Sequence, residues 1–265
     1  MEQSCKLCGE NKKLAESHII PKMFFNYIKK ESLTKGIRTT DNPNKRLQDG
    51  LKTPFLCHEC EELFSKYEKY FSDKFFQKTI NSSELQVYET NTDELRYFIL
   101  SIAWRVLKLN YETDIEMLKS LTQNEKNELN NVMDNWKDIL YNEKIKELKN
   151  IQMHFIPIEK LNRFNNNLNM VYNNTGMDFR VLGAENSFKH AYVYIKIPYF
   201  IFLCSVWGHT PNLKQYLVGK TITPKDSNLP KWLNDLLDYH LENFKVAQKN
   251  ISQNQLDSII KKINK

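Results

Sequence analysis

Cys5-Lys6-Leu7-Cys8-Gly9 and Leu56-Cys57-His58-Glu59-Cys60 each carry a Cys-x2-Cys spacing, with 48 residues between the two pairs. Such a pair sets two thiolates on one tight turn, and two turns supply the four corners of the tetrahedron that a structural zinc prefers. Gly9 suits the first turn because its backbone bends without a side-chain clash. A disulfide framework would require export, and a redox Cys-x-x-Cys would not need a second copy. The spacing therefore predicts a Zn²⁺ ion held by Cys5, Cys8, Cys57 and Cys60. The fifth cysteine, Cys204, sits in the apolar run Phe200 to Val206 and reads as a small buried hydrophobe.

Outward from the first pair comes Ser17-His18-Ile19-Ile20-Pro21, a short β-type run stopped by proline, and then a short helix over Lys22 to Lys30. The second pair opens another helix. From Glu61 on, Phe64, Tyr67, Phe71 and Phe75 recur at helical spacing, and Glu61, Ser65, Glu68 and Ser72 line a separate polar stripe. Two distant knuckles, one followed by a hairpin and the other by a helix, are the layout of a treble-clef zinc module.

Farther along, Thr92 caps a helix carrying Leu95, Ile99, Ile102, Val106 and Leu109, with Asp93 and Glu94 in its first turn. Thr122-x-x-Glu125 forms a capping box for a helix through Leu129, Val132, Trp136 and Leu140. The period then changes. Ile151, Met153 and Phe155 alternate with Gln152 and His154, and Phe179 to Leu182, Ala191 to Ile197 and Phe200 to Val206 also read as strands, with a turn at Asn173-Asn174-Thr175-Gly176. Pro230 starts a helix through Leu233, Leu237 and Leu241. Ser252-x-x-Gln255 caps a last one, expected to bury Leu256, Ile259, Ile260 and Ile263. The expected fold class is α+β: a zinc module of ββα-metal type over 1–80, a helical region over 81–150, and a small antiparallel sheet with helices over 151–265.

Composition excludes several classes. The chain has 265 residues, 41% of them hydrophobic and 26% charged, which argues for a packed globular protein and against disorder, collagen or coiled coil. The longest apolar stretch, Tyr199 to Trp207, is about half of what a membrane helix needs. The start shows no basic region followed by an apolar one, so a cytoplasmic location without membrane association is expected. The formal charge of +6 is dilute over the whole chain, but Lys22 to Lys52 holds eight basic residues against three acidic ones. A solvated face is the plain reading of such a run; next to a chemical site, Lys22, Arg38, Lys45, Arg46 and Lys52 become candidates for gripping DNA phosphates.

Cys5, Cys8, the run Ser17-His18-Ile19-Ile20-Pro21, Leu56-Cys57, Cys60 and the following helix resemble the HNH, or His-Me finger, endonucleases in their zinc-stabilised form, over residues 1 to about 75. The resemblance implies that His18 is the general base, that a divalent metal beside it stabilises the scissile phosphate, and that the zinc is structural. Where the family commonly has an aspartate before the histidine stands Ser17, and where it commonly has a histidine after the last cysteine stands Glu61. The family's central asparagine has no clear match near Gln48-Asp49-Gly50. The implied metal site is thus an altered one, in which Glu61, with Asp49 and the more distant Glu68, would hold Mg²⁺ or Mn²⁺ through carboxylate oxygens.

The expected activity is a metal-dependent endonuclease hydrolysing phosphodiester bonds in DNA, as a defence or toxin-type effector whose target choice resides in residues 80 to 265, with a partner protein or homo-oligomer among its expected assemblies. The alternative is a non-catalytic zinc-finger module that grips nucleic acid or protein with a degenerate HNH site. A third reading places a ligand pocket in the C-terminal half, near Tyr199-Phe200 and Trp207-Gly208-His209-Thr210-Pro211, although aromatics at strand ends are more often core.

Overall fold

The computed structural model describes residues 3–32, 35–82, 84, 86–158, 174–183, 189–209, 212–223 and 229–263. The chain is a mixed α+β protein. Strands β1 (Gln3–Ser4) and β2 (Asn11–Lys12) pair antiparallel around the first cysteine knuckle. β3 (Leu14–His18) pairs antiparallel with β4 (Lys52–Cys57), and Pro21 hands β3 over to α1 (Lys22–Glu31), since its fixed φ of -52° suits the step into a helix. The residues between α1 and β4 form an insert. α2 (His58–Phe71) leaves β4 directly and runs through a π-helical turn (Ser72–Phe76) into α3 (Gln77–Ile80). β5 (Tyr88–Glu89) follows.

The middle is helical, as expected: α4 (Asp93–Thr113), α5 (Ile115–Ser120), α6 (Gln123–Tyr141) and a 3₁₀ turn (Ile145–Asn150). Thr92 caps α4 through the Leu95 N–H, and Thr122 and Glu125 form the reciprocal box at the start of α6. β6 (Met153–Pro157), β7 (Gly176–Leu182), β8 (His190–Ile197) and β9 (Phe200–Trp207) make one antiparallel sheet in the order β6-β9-β8-β7. β10 (Thr221–Ile222) pairs with β5, and α7 (Lys231–Lys249) and α8 (Gln253–Ile263) end the chain.

Aromatic rings join the three stretches. Phe71 of α2 stacks on Phe98 of α4 (centroids 4.1 Å, planes 7° apart) and meets Phe24 of α1 and Phe200 and Phe202 of β9 edge-on. Offset and edge-on pairs of this kind add stabilisation beyond area burial. Every residue from Leu95 to Leu107 is buried, so α4 is a central helix packed on all sides, not one with a solvent face. No helix among the described residues is long and apolar enough to cross a membrane.

Two expectations are corrected. The alternation in β6 predicts a polar face, yet His154 is fully buried, because the strand is covered on both sides; burial holds its imidazole down to about 4 and thus neutral. The last helix does not bury its whole apolar stripe: Leu256 and Ile260 of α8 are exposed and Ile259 is half-buried, while Gln255 accepts from Arg38 and, just before the helix, the Ser252 N–H donates to Asn44. Asn173 of the expected turn, Thr210 and Pro211, and the Ile263 side chain lie outside the described residues.

Candidate functional site

The four thiols converge. Cys5 and Cys8 lie on the knuckle between β1 and β2, where Gly9 adopts φ +82° and donates to the Cys5 carbonyl at 2.9 Å. Cys57 ends β4 and Cys60 lies in the first turn of α2. All four sulfurs lie within 4.8 Å of one another, and Cys8 Sγ is 3.9 Å from Cys57 Sγ. Sulfurs at about 2.3 Å from a tetrahedral zinc stand about 3.8 Å apart, so four close cysteines could hold a metal ion such as zinc. Burial would raise the Cys5 thiol, but the backbone N–H groups of Cys57, Cys8 and Leu7 outweigh it and bring it down to about 7. Burial and the neighbouring sulfurs push Cys60 up. Cys5, Cys57 and Cys60 are buried and Cys8 is half-buried, so four thiolates there would need a cation to exist together. Cys204 is fully buried in β9 and its thiol is raised by burial, as a core cysteine should be.

His18 ends the same hairpin. In the β3–β4 register Leu14 faces Cys57 and His18 faces Lys52, so the thiol cluster anchors one end of a ladder whose other end presents the imidazole. A bulge between Ala15 and Glu16 re-aims the strand. Ser17 is buried, and its Oγ accepts from the Leu56 N–H at 3.0 Å. The position where the resemblance has an aspartate ligand is thus turned into the hairpin.

Two residues bear on His18. Its Nε2 lies 3.0 Å from Asp49 Oδ1, an ion-pair distance at which the two do not align as a hydrogen bond, both side chains being largely shielded, at 16% and 20% exposed. Burial would raise the Asp49 carboxyl, but the His18 imidazole, the Gly50 N–H and Lys52 outweigh it and hold it below its ordinary value. From the other side Arg105 of α4, buried to 1%, donates to the His18 carbonyl and to Glu68 Oε1, each at 2.8 Å. Arg105 was legible only as a cation in the apolar run Ala103-Trp104-Arg105-Val106-Leu107, a placement that demands a partner.

Glu61 and Glu68 project from the same stripe of α2. Glu61 Oε1 is buried without a hydrogen-bond partner among the described residues. Burial raises Glu68, and the Glu61 carboxylate pushes it the same way, against Arg105 and His18. Carboxylate oxygen is the ligand type that a hard divalent cation prefers, but Glu68 stands two helical turns from Glu61. Among the described residues, however, the four thiols are the one group of three or more ligating side chains already gathered at metal spacing. Asp49 is engaged by His18, with Lys52 Nζ 3.8 Å from its second oxygen.

No family model, curated protein or solved structure matches this chain. The basic insert divides into two kinds of residue. Lys22, Lys45 and Lys52 are exposed. Arg38 instead donates to Pro43 O and to Gln255, and Arg46 to Lys35 O, so both guanidinium groups hold the insert in shape. His209 is exposed, with Nδ1 3.2 Å from Gln152 Oε1, and Phe200 is core.

Proposed function

We propose that the chain is a zinc-structured, metal-dependent endonuclease of HNH type that hydrolyses phosphodiester bonds in DNA, on a treble-clef module formed by its first 80 residues. The observation that carries this reading is the His18–Asp49 contact at the far end of the hairpin clamped by Cys5, Cys8, Cys57 and Cys60. A phosphodiester gains negative charge as water attacks, so the reaction needs a base for the water and positive charge at the phosphate oxygens. His18 takes the proton of the attacking water, and Asp49, paired at Nε2, stabilises the imidazolium that forms. Arg105 holds the His18 carbonyl and so sets where the ring stands. Glu61, with Glu68 behind it, would hold Mg²⁺ or Mn²⁺; when bound, the ion supplies the charge that the scissile phosphate requires. Exposed Lys22, Lys45 and Lys52 grip flanking phosphates without reading sequence.

The second reading, a module that binds nucleic acid or protein without cutting it, is favoured by one observation: beyond the thiols, no three ligands among the described residues stand assembled. Incubation of the full chain with plasmid DNA and Mg²⁺ or Mn²⁺ separates the two. Cutting should occur, and His18→Ala should slow it by roughly a hundredfold or more at unchanged zinc content. An intact plasmid with a zinc-loaded, folded wild-type protein would leave only the binding module.

A further inference from the structure

Asp49 also lines a cavity of about 520 Å³ that lies between the insert and the C-terminal sheet. Apolar side chains line it on both sides, Ile20, Phe25 and Ile28 from the zinc module and Met177 and Phe244 opposite, and Arg38, Asp41 and Asp49 line it on the side of the insert. The side of the sheet is polar. Tyr194 and Lys196 are two apart on β8 and therefore share a face of the sheet, and both line the cavity. His240 of α7 lines it too, its ring stacked on Tyr194 with centroids 5.5 Å apart.

Each of the three carries a polar group that meets no carboxylate among the described residues. Lys196 is 6% exposed; its Nζ donates to Asn174 O at 3.0 Å, which leaves two ammonium hydrogens. Tyr194 Oη and His240 Nε2 are buried and make no hydrogen bond among the described residues. Nor does any carboxylate among the described residues pair with Lys196: Asp178, opposite Tyr194 in the sheet, is taken by Arg180 at 2.6 Å, and Asp49 of the cavity lining by His18. Burial alone brings the Lys196 ammonium down to about 7. A buried cation with no counter-ion is costly unless an anion joins it.

We propose that this cavity binds an organic phosphate monoester of mononucleotide size, with Lys196, Tyr194 and His240 on the phosphate oxygens and the apolar side chains against its organic body. An ammonium, a hydroxyl and an imidazole lining one side of the cavity can each meet one of the three terminal oxygens of a monoester, where a carboxylate offers two. The volume lies within the range of small-molecule sites and far exceeds what inorganic phosphate needs. Such a ligand could be a free molecule or the phosphorylated end of a nucleic-acid strand.

The test uses the full-length His18→Ala protein, so that its outcome stands apart from whether the chain cuts DNA. Calorimetric titrations are run with phenyl phosphate, the nucleoside 5′-monophosphates, the corresponding nucleosides, inorganic phosphate, and a short single-stranded oligonucleotide with and without a 5′-phosphate. At least one monoester should bind where its unphosphorylated counterpart does not. Tyr194→Phe, which removes one hydroxyl, should weaken binding roughly tenfold, and Lys196→Met should abolish it. Tight binding of a free monoester alone indicates a small-molecule ligand, and preference for the 5′-phosphorylated oligonucleotide indicates a strand end. Absence of binding by every monoester, binding of inorganic phosphate only, or affinity unchanged in both variants would overturn the assignment.

Discussion

Replacing Arg105 with methionine should uncouple His18 from the helical middle of the protein. The guanidinium bonds Glu68 and the His18 carbonyl at 2.8 Å each, and its Nε bonds Ser101 O at 3.2 Å. Breaking a buried ion pair from one side costs about 3–5 kcal/mol because a charge is left uncompensated. Glu68 keeps 24% of its side-chain surface, so the low end applies, about 3 kcal/mol, with about 1 kcal/mol more for the orphaned His18 carbonyl. The loss should depend on pH. Glu68 is already raised above its ordinary 4.5, and without Arg105 it rises further. A carboxyl that binds its proton more tightly when folded contributes fully below its unfolded value, and that contribution is lost as pH climbs through the raised folded value. Urea unfolding should therefore show a small deficit near pH 4.5 that grows to about 4 kcal/mol by about pH 7.5. Adding Glu68→Gln should recover most of it at the higher pH, because no unpaired charge then remains. A deficit under about 1 kcal/mol, or one equal at both pH values, would refute the assigned role of Arg105 as the tie between His18 and α2.

Cys57→Ser should eliminate tight zinc from the purified protein and lower its melting temperature, while far-UV circular dichroism retains most of its helical signal because α4 and α6 lie outside the module; elemental analysis and a melting curve check this. Gly50→Ala places a Cβ 2.1 Å from the Phe25 ring, so the ring or the loop that carries Asp49 must shift; we expect about 1–3 kcal/mol of destabilisation in denaturant unfolding and slower plasmid cutting with substrate binding retained. Lys196→Met should stabilise the unliganded protein at neutral pH. A lysine lowered from 10.5 to about 7 on folding depresses stability below about pH 7, and that penalty, at most about 5 kcal/mol, fades as the pH rises to about 10.5, so the gain measured by unfolding should shrink over the same interval.

Much of the fold was legible because its signals are local. The caps at Thr92 and Thr122 lie three residues from the groups they bond, and the Pro21 boundary acts on its neighbours. The strands of the large sheet were visible as apolar runs, yet their order β6-β9-β8-β7 and the burial of His154 depend on what covers each face. Leu256 and Ile260 follow a perfect helical period and remain exposed, since period shows that a helix has an apolar face but not that a partner reaches it.

At the candidate site the same division holds. Spacing alone paired the cysteines, because two residues between thiols define one turn whatever lies around it. That Asp49 would meet His18 rather than stand with Glu61, that Arg105 would come across 87 positions to the His18 carbonyl, and that Arg38 and Arg46 would turn inward are outcomes of three-dimensional packing. Charge in a sequence specifies a need for a partner, and only the folded chain, by bringing distant groups within about 3 Å and excluding water, decides which partner meets it.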